Sequence, residues 1–459
     1  MKTTGRRSLI LIILTVAFFF GLSVFLYGLV THGGAWAIQP FNGHLTGAST
    51  SSAGRVLDRN GTVLAQTKNG KRVYTDDLET RRAMLHAVGD SNGFISTGVQ
   101  SVYCGELFGY NPITGLASPT GKSAGCDINL TLDASLCRLA REKLGDRNGV
   151  AAVYNYKTGE MLCMVSTPDF DPQNPPKDLD TNKAYSGAYL NKVLSSTFIP
   201  GSIFKTVTSA AAIENISDLD SRVWNCPGSI TVNGNQITDI RSYGKLHFKD
   251  ALAKSSNVAF AQIAIELGTE RMSAEAQSMG FGHNFSLDGI SCAKSSYSVK
   301  GASEDELGWS GVGQYTDLVN PFHFLVLMGA VANGGTPVMP YMVKSIVQPL
   351  GLPQKTGSGQ MGSELLQPST AERLKSYLRY NVTNQYGDSM FSNLAVCAKT
   401  GTGEVGGGKS PNCWMVGFSS NSSTPLAFVV LVENSSSGSL SSAGRIASSL
   451  MTAAAKVVS

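Results

Sequence analysis

Residues 8–30, SLILIILTVAFFFGLSVFLYGLV, carry no charged side chain. As a helix rising about 1.5 Å per residue, this run spans about 34 Å, enough to cross a hydrocarbon core of roughly 30 Å. Whatever else the chain folds into must therefore hang from one N-terminal membrane segment. Lys2, Arg6 and Arg7 precede the run, and the next Lys or Arg is Arg55. That asymmetry predicts a cytoplasmic tail over 1–7, a transmembrane anchor over 8–30, and everything later outside the membrane. The alternative is a cleaved signal peptide, for which Ala35-Trp36-Ala37 offers a small-x-small site. Signal-peptide apolar regions run about 7–15 residues, and the greater length here predicts an uncleaved anchor.

The full chain is long enough for two or three domains, at 459 residues with 42% hydrophobic content. A net charge of +4, with no basic tract beyond the N-terminus, argues against a nucleic-acid partner. Eight cysteines are scattered without CxxC or Cys/His ligand spacing, so no zinc site is expected. Cys104 and Cys126 could pair, or all eight could be buried free thiols. The six histidines have no motif partner, and no Ser-His-Asp arrangement is visible.

Residues 31–54 are rich in Gly, Ala, Ser and Thr and read as a stalk. Residues 55–65, RVLDRNGTVLA, read as strand, Asn-Gly turn, strand, opening a small first domain over 55–148. Loops are expected near 91–101 and 111–125. From 149 the character changes. Two apolar strands flank the turn Lys157-Thr158-Gly159, and helical patterns cover 204–214, 248–267 and 321–332. Strands are expected at 394–398, 414–418 and 426–433, with a closing helix over 440–455. Strands first, helices in the middle and strands last predict an α+β domain over 149–459, an antiparallel sheet with helices on its faces and an inserted helical part.

A serine hydroxyl needs a base to become a nucleophile. With no histidine placed for it, a lysine one helical turn away is the alternative, because positions i and i+3 share a helix face. Ser-x-x-Lys occurs three times, at Ser202/Lys205, Ser242/Lys245 and Ser291/Lys294. Ser202 follows Pro200-Gly201 and precedes the apolar positions Phe204, Val207 and Ala211. That puts it at a helix start, where the dipole favours a developing alkoxide, although an ordinary N-cap is the commoner use of serine there. Ser-x-Asn occurs at Ser255/Asn257, Ser410/Asn412 and Ser419/Asn421, and Lys-Thr-Gly at 157–159, 355–357 and 399–401. The three elements together are the signature of penicillin-binding proteins and class A β-lactamases. Order and context leave one coherent set. Lys157 sits in a hairpin turn ahead of every Ser-x-x-Lys, and Lys355 sits in a polar loop. Ser410 and Ser419 fall after the last Lys-Thr-Gly. Lys399-Thr400-Gly401 extends an apolar strand, and Gly401 would let a substrate backbone approach closely.

With these residues assembled, the chain from about Arg55 resembles a class B penicillin-binding protein, a monofunctional D,D-transpeptidase of the short division type. The likeness is carried by RVLDRNGTVLA, INLTLDASLCRLA at 128–140, GVAAVYNYKTGEMLCMVSTPDFDP from Gly149 and IPGSIFK at 199–205. It continues through ALAKSSNVAFAQIAIELG at 251–268, AKTGTGEV at 398–405 and CWMVGF at 413–418. Gly403 and Tyr315 depart from the family pattern, which usually has small residues at both places (alanine at the first). The resemblance implies a penicillin-binding transpeptidase or serine β-lactamase-like fold above an N-terminal pedestal. It implies Ser202 as nucleophile, Lys205 as its base, Ser255 as proton relay, and Asn257 as holder of the substrate amide. Backbone N–H groups of Ser202 and Thr402 would form the oxyanion hole, and Lys399, Thr400 and Thr402 would bind the substrate carboxylate beside Gly401. It further implies D-alanyl-D-alanine stem peptides of peptidoglycan as substrate, β-lactams as inhibitors, no metal or cofactor, and a bacterial membrane location. A polytopic glycosyltransferase of the elongation or division machinery is the implied partner. D,D-carboxypeptidase and β-lactamase are the rival enzymatic readings, and a β-lactam receptor or division scaffold the non-enzymatic one. About 100 residues between stalk and sheet leave no room for a glycosyltransferase domain in the chain.

Overall fold

The computed structural model describes residues 2–37, 53–110, 125–391 and 393–458. Most of the expected stalk and of the loop expected at 111–125 lie outside them. The N-terminal helix α1 (Lys2–Ala37) continues past the expected end of the anchor, and its stretch Gly5–Thr31 is long and apolar enough to cross a membrane.

The first folded unit holds β1 (Val56–Leu57), β2 (Val63–Lys68), β3 (Lys71–Tyr74), the short helix α2 (Cys104–Phe108) and β4 (Asp127–Leu130). Helix α3 (Ala134–Leu144) leads on, its first turn capped by Asp133, which accepts from Leu136 N. The second unit opens with the hairpin β5 (Gly149–Asn155) and β6 (Met161–Thr167). Its helices are α4 (Lys205–Asn215), α5 (Phe248–Lys254), α6 (Asn257–Ser278), α7 (Glu304–Gly311) and α8 (Pro321–Ala332). Two strands follow, β7 (Val343–Val347) and β8 (Pro353–Thr356), then α9 (Pro368–Asn381), β9 (Val396–Gly403), β10 (Asn412–Ser419), β11 (Leu426–Val432) and α10 (Arg445–Val458).

The larger sheet runs β9-β10-β11-β5-β6, antiparallel throughout. All residues of β5, β6, β10 and β11 are buried, so these strands read as unbroken apolar runs instead of alternating. Helix α8, almost wholly buried, covers one face, and α3 and α10 pack against the sheet as well. Because β5 and β9 come from opposite ends of the domain, the last Lys-Thr-Gly ends on a sheet edge. The smaller sheet runs β8-β7-β4-β1-β2-β3, so segment 343–356 joins strands from the first unit. Lys355, expected in a loop, is thereby paired opposite Ile346. A proline and polar residues gave its strand no apolar pattern, and its four side chains are exposed. The single helix expected over 248–267 is two helices, broken where Ser255 adopts the left-handed conformation (φ 57°, ψ 38°).

Candidate active site

Ser202 lies in a single 3-10 turn, Gly201–Ile203, immediately before α4. Gly201 has φ +52°, and a Cβ built there would fall 2.1 Å from Thr402 O. Only glycine lets the turn lie flat on the edge strand, so the first and third motifs meet backbone to backbone. Gly201 N donates to Gly313 O at 2.9 Å, and Trp414 Nε1 donates to Ile199 O at 3.0 Å, pinning the turn from both sides.

The break between α5 and α6 positions the second motif. A serine in the left-handed region costs about 1–2 kcal/mol, a strain that concentrates at functional sites. Asp239 holds this corner: Asn257 N donates to Oδ1 at 2.5 Å and Val258 N to the same oxygen at 3.2 Å. Ser256 Oγ donates to Oδ2 at 2.8 Å. A carboxylate here also meets the positive end of the α6 dipole.

Lys205 projects from the first turn of α4 and Lys399 from β9, and both side chains are fully buried. Lys205 Nζ donates to Ser255 O at 2.6 Å and Asn257 Oδ1 at 2.8 Å, and lies 3.3 Å from Ser255 Oγ. Lys399 Nζ reaches the same hydroxyl at 2.9 Å and Thr400 O at 3.0 Å. Burial and the neighbouring Lys399 cation push the Lys205 amine well below its usual range, with Asp239 opposing. Burial lowers Lys399 to about 7.

Along β9, successive residues alternate in direction. Thr400 N donates to the Tyr386 hydroxyl at 3.2 Å, and Glu404 N donates to Gln314 Oε1 at 3.3 Å. Thr402 lies between them with the same orientation, and its carbonyl accepts from Gln314 Nε2 at 2.9 Å. The Thr402 N–H therefore also points off the sheet edge. Thr402 Oγ1 lies 2.9 Å from Ser439 Oγ. Ser202, Ser255, Asn257 and Thr400 to Thr402 share the wall of one cleft of about 690 Å³. Tyr315 lines the same cleft. At the other departure, Gly403, a Cβ would lie 2.4 Å from Ile199 O, so an alanine there would push the Ser202 segment away from β9.

Thus the structure brings together Ser202, Lys205, Ser255, Asn257, Lys399, Thr400, Gly401 and Thr402. The other motif copies lie elsewhere. Lys157 donates to Asn333 Oδ1 at 2.7 Å, and Lys355 Nζ sits 3.2 Å from the Tyr103 hydroxyl. Ser419 Oγ donates to Leu394 O at 2.7 Å. Asp239, Tyr386, Gln314 and Ser439 escaped sequence reasoning, since none stands at a fixed spacing from a motif. All eight cysteines are free and buried, Cys104 and Cys126 among them. No cluster of His, Cys, Asp and Glu suited to a metal occurs among the described residues.

Residues 149–452 match the family described as the penicillin binding protein transpeptidase domain. Peptidoglycan D,D-transpeptidase PbpA of Mycolicibacterium smegmatis is 26% identical over 318 residues, 63% of this chain and 62% of that protein. Penicillin-binding protein PbpB of the same organism is 30% identical over 273 residues, 56% of this chain and 40% of the relative. The chain thus spans under two thirds of the length of these relatives. Among solved structures, penicillin-binding protein A of M. tuberculosis as a ceftriaxone acyl-enzyme superposes with a TM-score of 0.78 at 21% identity, covering 89% of this chain and 99% of that one. The D,D-transpeptidase domain of a peptidoglycan glycosyltransferase from Eggerthella lenta gives 0.75 at 24% identity, covering 89% and 99%.

Proposed function

The chain belongs to the penicillin-binding protein transpeptidase family, in its class B, and on that premise we propose that it cross-links peptidoglycan stem peptides through an acyl-enzyme on Ser202. One observation carries the reading: the fully buried Lys205 amine lies within hydrogen-bond reach of Ser255 O, Asn257 Oδ1 and, at 3.3 Å, Ser255 Oγ. A neutral amine has two donors and one lone pair. Ser255 O and Asn257 Oδ1 take the donors of Lys205 at 2.6 and 2.8 Å, which leaves the lone pair to accept a proton. Burial and the neighbouring Lys399 cation lower the proton affinity of that amine and so favour its neutral form.

Lys205 then removes the Ser202 proton as Oγ attacks the carbonyl between two terminal D-alanines. The carbonyl oxygen gains charge, and the backbone N–H groups of Ser202 and Thr402 donate to it; one such donor is worth about 3–4 kcal/mol in subtilisin. The C–N bond breaks, and the leaving amine takes its proton through Ser255, whose hydroxyl bridges the two lysines. Asn257 holds the substrate amide. Lys399, Thr400 and Thr402 bind the terminal carboxylate, the threonines by hydroxyl hydrogen bonds. An amine of a second stem peptide then attacks the ester, forming the cross-link and regenerating Ser202. A β-lactam entering the cleft acylates the same oxygen.

Helix α1 anchors the catalytic unit with its N-terminus in the cytoplasm, an orientation supported by the charge asymmetry of the first 55 residues. A glycosyltransferase of the elongation or division machinery is the proposed partner. The test is incubation of the full chain in detergent with a D-alanyl-D-alanine pentapeptide and an acceptor amine, with products read by mass spectrometry. Aminolysis supports the proposal. Hydrolysis alone favours a D,D-carboxypeptidase, rapid release of opened penicillin favours a β-lactamase, and stable acylation without peptide turnover favours a receptor or scaffold.

A further inference from the structure

The smaller sheet has an end that faces where the chain leaves its N-terminal helix. Strand β1 begins just after Gly54, and a Cβ on Gly54 would lie 2.0 Å from Cys126 O, the residue before β4. Val56 pairs with Ile128 in parallel, and Val347 pairs with Asp127 in antiparallel. The turn linking β7 to β8 therefore projects past the same end of the sheet. On the other side of β1, Val56 pairs with Ala65, so β2 runs toward that end too and turns at Asn69-Gly70. Two turns thus share one rim with the chain entry.

The two turns carry exposed apolar side chains and exposed cations. Leu350 is 88% exposed and Leu352 62%, on one turn closed by Gln348 N donating to Leu352 O. The other turn is flanked by exposed Lys68 and Lys71. The outer end of α1 is near by: it packs on α2, and a Cβ on Gly33 would lie 2.7 Å from the Tyr110 hydroxyl. Helix α2 in turn accepts the Gly54 amide at Leu107 O, 2.8 Å.

We propose that this rim is a second membrane contact, in which Leu350 and Leu352 enter the interfacial layer and Lys68 and Lys71 meet anionic headgroups. The proposal rests on the reading of α1 as a membrane span. Its physical content is that the catalytic unit is held at a fixed tilt by two points, the span and the rim. Exposed leucines at a loop tip beside cations have the composition of an interfacial anchor, and each lysine near an anionic surface is worth about a fivefold shift in contact.

The test uses the full chain in nanodiscs containing only lipid, neutral or anionic, with a nitroxide at Leu350→Cys. Collisions with oxygen, which concentrates in the bilayer, are compared with those of a water-soluble nickel chelate. A second label at Leu14→Cys reports on the span, and free nitroxide in buffer gives the aqueous limit. The rim label should favour oxygen several-fold over the aqueous limit in anionic nanodiscs. Lys68→Gln with Lys71→Gln should lower the contacted fraction about fivefold per lysine. A rim label at the aqueous limit, with Leu14→Cys reading as bilayer, overturns the lipid contact, keeps the span, and leaves the leucines to a protein partner. Both labels reading as aqueous overturns the span and the rim together.

Discussion

Replacing Lys399 by methionine should make the protein more stable while removing its activity. The side chain is fully buried, and its ammonium is lowered from 10.5 to about 7. At about 1.4 kcal/mol per tenfold change in proton affinity, keeping that group in the fold costs about 5 kcal/mol at pH 6. The sign follows from proton binding. Between 7 and 10.5 the unfolded chain holds a proton that the folded chain has lost. The penalty is therefore complete below 7, shrinks as pH rises, and is gone above 10.5. Methionine matches the volume of the stem but leaves Ser255 Oγ and the Thr400 carbonyl without this donor, a loss of about 1–2 kcal/mol. Net stabilisation of about 3 kcal/mol is expected at pH 6, vanishing by pH 10. Denaturant unfolding of parent and Lys399→Met in detergent, at both pH values, measures it. A variant less stable at pH 6, or a difference that ignores pH, would refute the idea that the site stores unfavourable charge.

Acylation by penicillin should fall as pH rises through about 7, where Lys399 loses the charge proposed to hold the carboxylate. Stopped-flow labelling from pH 5 to 9 should show that fall, and Lys205→Met a flat line near background. Gly201→Ala places a Cβ 2.1 Å from Thr402 O and strains φ +52°, so labelling should fall at least tenfold, with stability lowered by about 1–3 kcal/mol. Asp239→Asn weakens the hydrogen bonds that hold the Ser256–Val258 corner. A loss of about 2–3 kcal/mol by denaturant unfolding and a tenfold slower acylation are expected. Tyr386→Phe removes the hydroxyl that meets Thr400 N and Oγ1, so KM for a D-alanyl-D-alanine donor should rise about fivefold, a loss of about 1 kcal/mol.

The strands and helices of the catalytic unit were legible where burial made them apolar. The expected bounds for helix 321–332 match, and β10 and β11 were placed within two residues. Among the repeated Lys-Thr-Gly copies, Lys157 sits in a hairpin turn and Lys355 in a polar segment, whereas Lys399 lies within a strand that runs on from apolar residues, and its Nζ reaches Ser255 Oγ. What failed was non-local. Segment 353–356 is a strand only because β7 offers it hydrogen bonds, and its own residues, Pro-Gln-Lys-Thr, carry no strand pattern. The break at Ser255 was hidden because the apolar spacing continues through it. It is set by Asp239, 16 positions upstream, whose contacts no periodicity can reveal. Tyr386 and Ser439 likewise reach the cleft from segments whose local sequence serves other packing.

The most direct measurement is peptide mapping by mass spectrometry of the full chain after reaction with penicillin. The account predicts one covalent adduct on the peptide holding Ile199 to Lys205, at Ser202 Oγ, and none on Ser202→Ala that remains folded. An adduct at another serine, or equal labelling of Ser202→Ala, would contradict it.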